Sequence, residues 1–156
     1  MIKIFLFLQL FIAFKISAQN NYWIMQYTDN YKKINDIFFV NASTGFAACD
    51  SGNVLKTTNG GTNWNSYRIN TVNNIYRIFF SNALTGYATS GFSQSLAGSF
   101  GNIYKTTNGG INWTSPYPDN FIYPRVLSVR NTDTIFISSS SMMKGGSHSA
   151  LYRSFN

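Results

Sequence analysis

The sequence predicts an all-β fold, a β-propeller segment of four-stranded antiparallel blades. One observation is an internal repeat, because residues 56–64 return as residues 105–113 with Lys-Thr-Thr-Asn-Gly-Gly unchanged. A second phrase, residues 37–47, returns as residues 78–88. Such self-similarity is typical of propellers and solenoids, in which one unit cannot bury its core alone. Charged residues are scarce while Asn, Ser, Thr, Tyr and Phe abound, as short half-buried strands with polar turns require.

The N-terminal residues 1–18 predict a secretory signal peptide that precedes the fold. Lys3 supplies the positive start, residues 4–14 form an apolar run too short to span a bilayer, and Ala18 is a small residue suited to cleavage. The propeller segment is therefore expected at residues 19–156. We expect the chain to be secreted or held at the cell surface or in the periplasm of a bacterium, with no stable membrane insertion.

Export is expected to remove residues 1–18 and to leave Gln19 as the first residue of the mature chain. The positive start, the length of the apolar run and Ala18 all indicate this position. Mass spectrometry of the exported protein measures the N-terminus directly. A chain that retains Met1 after export would contradict the assignment.

The charge distribution and the residue counts exclude several classes of function. The net charge is +7, but the basic residues are scattered and Lys32-Lys33 is the only pair, which predicts no nucleic-acid partner. The chain contains no Glu, one Cys and one His. We therefore expect no disulfide within the chain, no metal site and no cofactor. Cys49 is expected to be buried in a strand, and His148 to be exposed in a loop.

The first repeat unit, residues 35–69, is predicted to form four strands in a meander. Turn residues separate short apolar runs at regular intervals along it. Asn59-Gly60-Gly61 is expected to form the tightest turn, because Asn-Gly supplies the positive φ angles of two-residue hairpins. The four strands are expected at residues 36–40, 45–49, 53–58 and 64–68.

A second unit and part of a third follow in the same order. The second, residues 76–118, carries an insertion at residues 91–100 whose Gly and Ser content predicts a surface loop. Its fourth strand is expected at residues 113–117. In the partial third unit, residues 125–156, the segment 139–149 is expected to lengthen the same loop. Because the sequence given stops within the third copy of the repeated phrase, we expect a longer protein, truncated at its C-terminus.

Residues 22–27 match the register of a fourth, outermost strand whose first three strands do not precede it. Trp23 stands as far before Ile37 as Trp64 stands before Ile78. In a closed propeller such a strand completes the last blade and removes an exposed sheet edge. We therefore expect this segment to be open or self-associating in isolation, with the remaining blades of its own full-length chain as natural partners.

The repeated phrase resembles the Asp-box, or BNR repeat, with the pattern Ser/Thr-x-Asp-x-Gly-x-Thr-Trp. Both copies carry Asn in place of the usual Asp, and Asn63 or Asn112 in place of the usual Thr. With the Thr-Gly-Phe/Tyr-Ala phrase before the box, the chain is most similar to photosystem-II-assembly-factor-like propellers and more distantly to sortilin-like and sialidase propellers. The box residues are Thr57, Asn59, Gly61 and Trp64, and in the second copy Thr106, Asn108, Gly110 and Trp113.

The resemblance implies a structural role for these boxes, on a hairpin between the third and fourth strands away from the central pocket. Thr57 and Asn59 are expected to hydrogen-bond the backbone of their own turn. Gly61 is expected to adopt a left-handed conformation, and Trp64 to cover the blade. A structural role is favoured over a metal or ligand site because Asn lacks the carboxylate.

Two functions are compatible with the sequence. The favoured one is a non-enzymatic binding or scaffold module that presents residues 91–100 and 139–149 to a protein or glycan partner. The alternative is a sialidase-like glycoside hydrolase whose catalytic residues lie mostly beyond residue 156. Asp36 and Arg77 begin innermost strands and are candidates to face the central channel. Tyr76-Arg77-Ile78-Phe79 resembles the sialidase Phe/Tyr-Arg-Ile-Pro signature but lacks its Pro, and no Glu is present to serve as acid or base.

Overall fold

The structure, a computed structural model, is all β within the residues that it describes. Its strands form three successive antiparallel sheets, which we call the first, second and third units, and one short two-stranded sheet. No helix in the described residues is long and apolar enough to cross a membrane. The described residues are 23, 25, 26, 28, 32–91, 100–116, 121, 122, 124–129, 134–143 and 146–154.

The first unit is the four-stranded meander that the sequence predicts. All pairs are antiparallel, and the order in the sheet equals the order in the chain. Side chains alternate between the two faces of the third strand, so Val54 and Leu55 belong to different apolar clusters. Cys49 is buried in a strand, as expected. The strands are β1 (Ile34–Phe39), β2 (Gly45–Cys49), β3 (Asn53–Thr57) and β4 (Asn65–Arg68).

The second unit keeps the first three strands of the repeat but not the fourth. The strand expected at residues 113–117 is reduced to one bridge, in which Lys105 and Thr114 exchange backbone hydrogen bonds of 2.8 and 2.9 Å. Pro116 follows closely and has no N–H to donate, so the ladder cannot continue there. The strands are β5 (Asn74–Phe80), β6 (Gly86–Gly91) and β8 (Ile103–Thr106), paired in that order.

The third unit contains a long hairpin where the sequence predicts a loop. Its strands are β10 (Pro124–Val129), β11 (Ile135–Met143) and β12 (Gly146–Arg153). The expectation of a loop at residues 139–149 is therefore wrong, since Ser139 pairs with Ala150 and Met143 with Gly146. The Ser-rich run lacks the alternation of a strand, and pairing with a neighbour decides its conformation.

A short two-stranded sheet stands beside the second unit. It pairs β7 (Phe100–Gly101) with β9 (Phe121–Ile122). Phe100, expected to end the inserted loop, is therefore in a strand, as is Gly91 at the end of β6. Residues 92–99, the rest of the expected loop, lie outside the described residues. His148, also expected in a loop, lies in β12 opposite Ser141.

The first strand of each unit carries the same irregularity. The register shifts between Ile34 and Asp36 in β1 and between Ile75 and Arg77 in β5. A shift between Pro124 and Val126 occupies the equivalent place in β10. β5 lies against both β1 and β10, so the three innermost strands are neighbours. Bulges of this kind bend a strand and redirect its side chains.

The apolar core lies between the units. Phe46 and Val54 of the first unit share one cluster with Ile75, Ile78 and Phe80 of the second. The rings of Phe46 and Phe80 stack with their centroids 3.5 Å apart and an interplanar angle of 7°. A further cluster joins the second unit to the third through Tyr87, Ile103, Ile135 and Ile137. Each unit thus buries its faces against its neighbours, as repeat folds do.

The repeated Thr-Gly-Phe/Tyr phrase has a packing reason. Gly45 stands opposite Phe39 across β1 and β2, and Gly86 stands opposite Phe80 across β5 and β6. A Cβ at Gly45 would meet the Phe39 ring at 2.7 Å, and one at Gly86 would meet the Phe80 ring at 2.6 Å. The glycine therefore lets an aromatic ring lie flat over the neighbouring strand.

The ring-closing strand expected at residues 22–27 stays a prediction. Trp23, Met25 and Gln26 are described; none lies in a strand, and the Trp23 side chain is fully exposed. Tyr22, Ile24 and Tyr27 lie outside the described residues, as does the expected signal peptide at residues 1–18.

Candidate binding surface at one end of the blades

The connections between strands gather at two opposite ends of the units. At one, which we call the turn end, the β3–β4 connection meets the β1–β2 connection, and the N–H of Gly60 donates to the Ser43 carbonyl at 2.8 Å. At the other, the loop end, the β2–β3 connection meets the β4–β5 connection. There the N–H of Gly52 donates to the Asn73 carbonyl at 2.8 Å, and that of Ser51 to Asn74 Oδ1 at 3.0 Å.

At the turn end, the side chains of the first box hold the backbone of their own turn. Thr57 Oγ1 accepts from the N–H groups of Asn59 and Gly61, at 3.3 and 2.9 Å. Asn59 Oδ1 accepts the Thr57 hydroxyl at 3.0 Å and the Asn63 N–H at 2.9 Å. The second box, at Thr106 and Asn108, repeats these bonds at 3.3, 3.0, 3.0 and 2.9 Å.

The conformation of the box differs from the expected two-residue hairpin. β3 ends at Thr57 and β4 begins at Asn65, so the connection is longer than two residues. Its positive φ angles are 68° at Gly60 and 89° at Gly61, and Asn59 has none. The second box has φ angles of 68° at Gly109 and 82° at Gly110, so two glycines and side-chain acceptors, rather than Asn-Gly, set the turn.

Both box tryptophans are half-buried against an aromatic ring of their own unit. Trp64 lies edge-on to Phe39 with centroids 6.0 Å apart, and Trp113 lies edge-on to Phe80 at 5.9 Å. Trp113 Nε1 also donates to the Gly110 carbonyl at 3.0 Å. The polar groups of the boxes thus bond within their turns. In the described part of the chain, no three His, Cys, Asp or Glu residues are grouped to hold a metal ion.

The structure brings together Asp36 and Arg77, the two candidates for the central channel. Arg77 Nη1 lies 3.9 Å from Asp36 Oδ1, and the arginine side chain is half exposed. The same carboxylate accepts two backbone N–H groups at 3.0 Å, from Ile37 through Oδ1 and from Ile78 through Oδ2. Asp36 therefore links β1 to β5, a role that its position in the sequence does not reveal.

A second polar link between units lies near it at the loop end. Asn35 Nδ2 donates to Asp50 Oδ1 at 2.8 Å and to the Ile75 carbonyl at 3.0 Å. Sequence reasoning missed Asn35, Asp50 and Asn74, although all three are polar residues at strand ends. Their partners are distant in sequence, and only the packing of one unit on the next brings them within reach.

Replacing Asp36 with Ala is expected to destabilise the protein by about 1–3 kcal/mol, because two backbone N–H groups lose their acceptor. Arg77→Ala is the matched control, since it removes the ion pair but leaves both backbone hydrogen bonds. That change should cost about 0–1 kcal/mol, because a long, half-exposed ion pair contributes little. Chemical denaturation measures both. A larger loss for Arg77→Ala would contradict the linking role of Asp36.

The two segments that depart from the repeat both belong to the loop end. β7, which pairs with β9, lies in the β6–β8 connection, the second unit's equivalent of the β2–β3 connection. In the third unit the extended end of the β11–β12 hairpin takes the place of that connection. Lys33, whose carbonyl accepts the Asp50 N–H, and Arg68, which pairs with Asn53, are exposed on the same end. These two side chains give the loop end a positive rim.

Comparisons with solved structures decide the fold. No protein-family model and no curated protein matches the chain. It is similar to a structure of YCF48 bound to D1 peptide, with a TM-score of 0.64 and 16% identity, covering 83% of this chain and 38% of that one. It is also similar to a GH74 enzyme of Niastella koreensis, with a TM-score of 0.58 and 22% identity, covering 75% and 18%. The fold is a partial β-propeller.

These similarities extend to architecture and no further. The chain spans less than half the length of either structure that it matches, and its identity to each is below a quarter. The resemblance to photosystem-II-assembly-factor-like propellers is supported at the level of the propeller fold. The Asp-box, sortilin-like and sialidase resemblances remain predictions.

Proposed function

We propose that the chain is an exported, non-enzymatic binding module whose loop end takes up a peptide segment of a protein partner. One observation carries this proposal: the repeat is kept at the turn end and broken at the loop end. The two boxes repeat their hydrogen bonds with nearly the same lengths. The β7–β9 pair and the β11–β12 hairpin have no counterpart in the first unit.

Such a division suits a scaffold that presents a variable surface. Binding residues are concentrated on connecting segments that a rigid framework positions. Here the framework is the stacked sheets with their shared aromatic core, and the connections at the loop end supply the variation. YCF48, one of the structural neighbours, was solved with a peptide bound. That a propeller of related architecture binds a peptide supports the class of partner proposed.

The charges at the loop end favour an acidic peptide over a neutral glycan. Among the described residues there, Lys33 and Arg68 are cationic and exposed. The carboxylates of Asp36 and Asp50 accept hydrogen bonds within the protein. A peptide with Asp or Glu side chains would find complementary charge on this rim. A glycan partner would depend on aromatic stacking instead.

The alternative, a glycoside hydrolase, finds less support in the same residues. Hydrolysis of this kind requires a pair of carboxyl groups at a defined separation across the scissile bond. Both carboxylates of the described residues accept hydrogen bonds within the protein, Asp36 from Ile78 of the next unit and Asp50 from Asn35 of its own. A hydrolase would need its carboxyl pair elsewhere. The similarity to a GH74 enzyme is compatible with this alternative, but it covers only 18% of that chain.

A fluorescence anisotropy titration tests the proposal with two fluorescein-labelled peptides of equal length, one rich in Asp and Glu and one in which Lys replaces them. The acidic peptide is expected to bind, and Arg68→Glu to weaken that binding about tenfold, equivalent to about 1.4 kcal/mol. The double variant Leu84→Glu, Ile111→Glu changes the net charge equally but at the turn end, where both side chains are exposed. It should bind as the parent does. Equal binding of both peptides, or equal losses in both variants, would overturn the assignment.

A further inference from the structure

The Asn-Gly pairs of the sequence lie in the two boxes, at Asn59-Gly60 and Asn108-Gly109. An asparagine before a glycine is prone to deamidation, because glycine has no Cβ to hinder the attack of its backbone nitrogen on the asparagine Cγ. The new N–Cγ bond closes a five-membered succinimide ring, and the side-chain amide nitrogen leaves as ammonia with the proton of the attacking nitrogen. Water then opens the ring at either carbonyl and gives aspartate or isoaspartate. The two pairs are therefore candidate sites of chemical modification.

Burial does not protect the first of these pairs. Asn59 and Gly60 are both exposed, so that water and hydroxide reach the reacting atoms. Asn59 Oδ1 accepts the Thr57 hydroxyl and the Asn63 N–H, at 3.0 and 2.9 Å. Hydrogen bonds to this oxygen polarise the amide carbonyl and favour attack at Cγ. Resistance to deamidation must therefore come from the attacking nitrogen.

A different part of the same unit holds that nitrogen. The N–H of Gly60 donates to the Ser43 carbonyl on the β1–β2 connection at 2.8 Å. In the second box, the N–H of Gly109 donates to the Leu84 carbonyl on the β5–β6 connection, also at 2.8 Å. Attack on Cγ requires the nitrogen to lose this proton, and the nitrogen of a succinimide has no hydrogen to donate. The ring therefore cannot form while the bond is kept.

The neighbouring pair Asn41-Ala42 lacks this restraint. Asn41 Oδ1 also accepts two hydrogen bonds, from the N–H groups of Ser43 and Thr44 at 2.9 and 2.8 Å. Both residues of the pair are exposed, as Asn59 and its glycine are. The N–H of Ala42, however, has no acceptor among the described residues. The two asparagines thus share their surroundings and differ in the hydrogen bond of the nitrogen that follows.

We propose that the two boxes are latent deamidation sites, kept unreactive by the hydrogen bond from the glycine nitrogen to the neighbouring connection. Opening of the turn frees the nitrogen and starts the conversion, which the loss of ammonia makes irreversible. Aspartate keeps the acceptor oxygen of the box. Isoaspartate instead adds a methylene to the backbone before Gly60 and moves its N–H from the Ser43 carbonyl, so the turn does not re-form its bonds.

An Ala42→Gly chain tests this proposal, because it adds an exposed Asn-Gly pair in which the glycine N–H has no acceptor among the described residues. The folded variant and the same variant in urea are kept in mildly alkaline buffer, and circular dichroism verifies that the first is folded. Tryptic peptides are then analysed by mass spectrometry for deamidation at Asn41, Asn59 and Asn108. Trypsin places these asparagines on separate peptides, because Lys56 and Lys105 lie between them.

In urea the three asparagines are expected to react at similar rates. In the folded variant, Asn59 and Asn108 should react about tenfold more slowly than Asn41, the effect of one protecting hydrogen bond that the reaction must break. Ala83→Gly repeats the comparison in the second unit, since Asn82 Oδ1 accepts from Leu84 and Thr85 at 2.9 and 2.8 Å. Equal rates at the new pair and at the boxes in the folded chains, whether fast or slow, would overturn the proposal.

Discussion

Replacing Phe80 with Ala is expected to lower the free energy of unfolding by about 3–5 kcal/mol, the usual cost of removing a buried phenylalanine. The ring is buried between two units, stacked on Phe46 at 3.5 Å and edge-on to Trp113 at 5.9 Å. Its loss leaves a cavity that two sheets joined by this core cannot close without moving relative to each other. Urea denaturation followed by tryptophan fluorescence measures the change.

Phe39→Ala is the matched control, because Phe39 holds the same place in the repeat. It lies over Gly45 as Phe80 lies over Gly86, but it contacts Trp64 alone among aromatic rings in the described residues and is partly exposed. At protein concentrations below any association, its loss should cost about half as much or less, in proportion to the area removed from water. Equal losses at the two positions would show that packing between units does not hold the protein together.

This pair of residues also shows what the sequence determines. Ile37-Phe38-Phe39 and Ile78-Phe79-Phe80 are the same tripeptide, and the repetition predicts a strand at each, which is confirmed. Their burial differs because only the second has a unit before it in the structure. The local pattern therefore predicts the strand, whereas the position of the unit in the array decides how far its side chains are buried and how much they stabilise the fold.

In the third unit, the composition of the sequence does not predict the structure. Residues 139–149 combine Ser, Gly and Met without alternation, and such a composition predicts a surface loop. The structure instead continues both strands through this region, with Ser139 opposite Ala150 and Met142 opposite Ser147. Backbone pairing across a hairpin does not require apolar side chains, so composition alone cannot reveal it. The fourth strand expected at residues 113–117 is also wrong, because Pro116 has no N–H to continue the ladder beyond the bridge at Thr114.

The candidate site was predictable only in part. Asp36 and Arg77 hold equivalent places in the repeat, within β1 and β5 rather than at their starts, and the structure brings them within 3.9 Å of each other. The hydrogen bond from the Ile78 N–H to Asp36 lies beside the register shift in each strand, between Ile34 and Asp36 in β1 and between Ile75 and Arg77 in β5. No residue in the sequence marks those bulges, so the bonds that make Asp36 a link between units are found only in three dimensions.

Replacing Gly61 with Val is expected to lower the free energy of unfolding by about 1–3 kcal/mol, the cost of a side chain at a disfavoured backbone conformation. Gly61 has a φ angle of 89°, which a β-branched residue strongly resists. Within the described residues, the atoms nearest to an added Cβ belong to Gln26, whose Oε1 is the far end of a flexible side chain that moves aside at little cost. The penalty therefore measures the turn conformation itself.

Asn59→Asp is the control for this substitution. It keeps the oxygen that accepts from the Asn63 N–H and from the Thr57 hydroxyl, and it restores the residue usual in an Asp-box. Because the side chain is exposed and its acceptor is retained, the change should stay within about 0.5 kcal/mol. The midpoints of urea denaturation for the two variants are expected to separate clearly, with Gly61→Val lower. Coincident midpoints would mean that a side chain at the positive φ angle of Gly61 costs nothing, and the turn would then owe its shape to the surrounding sheets.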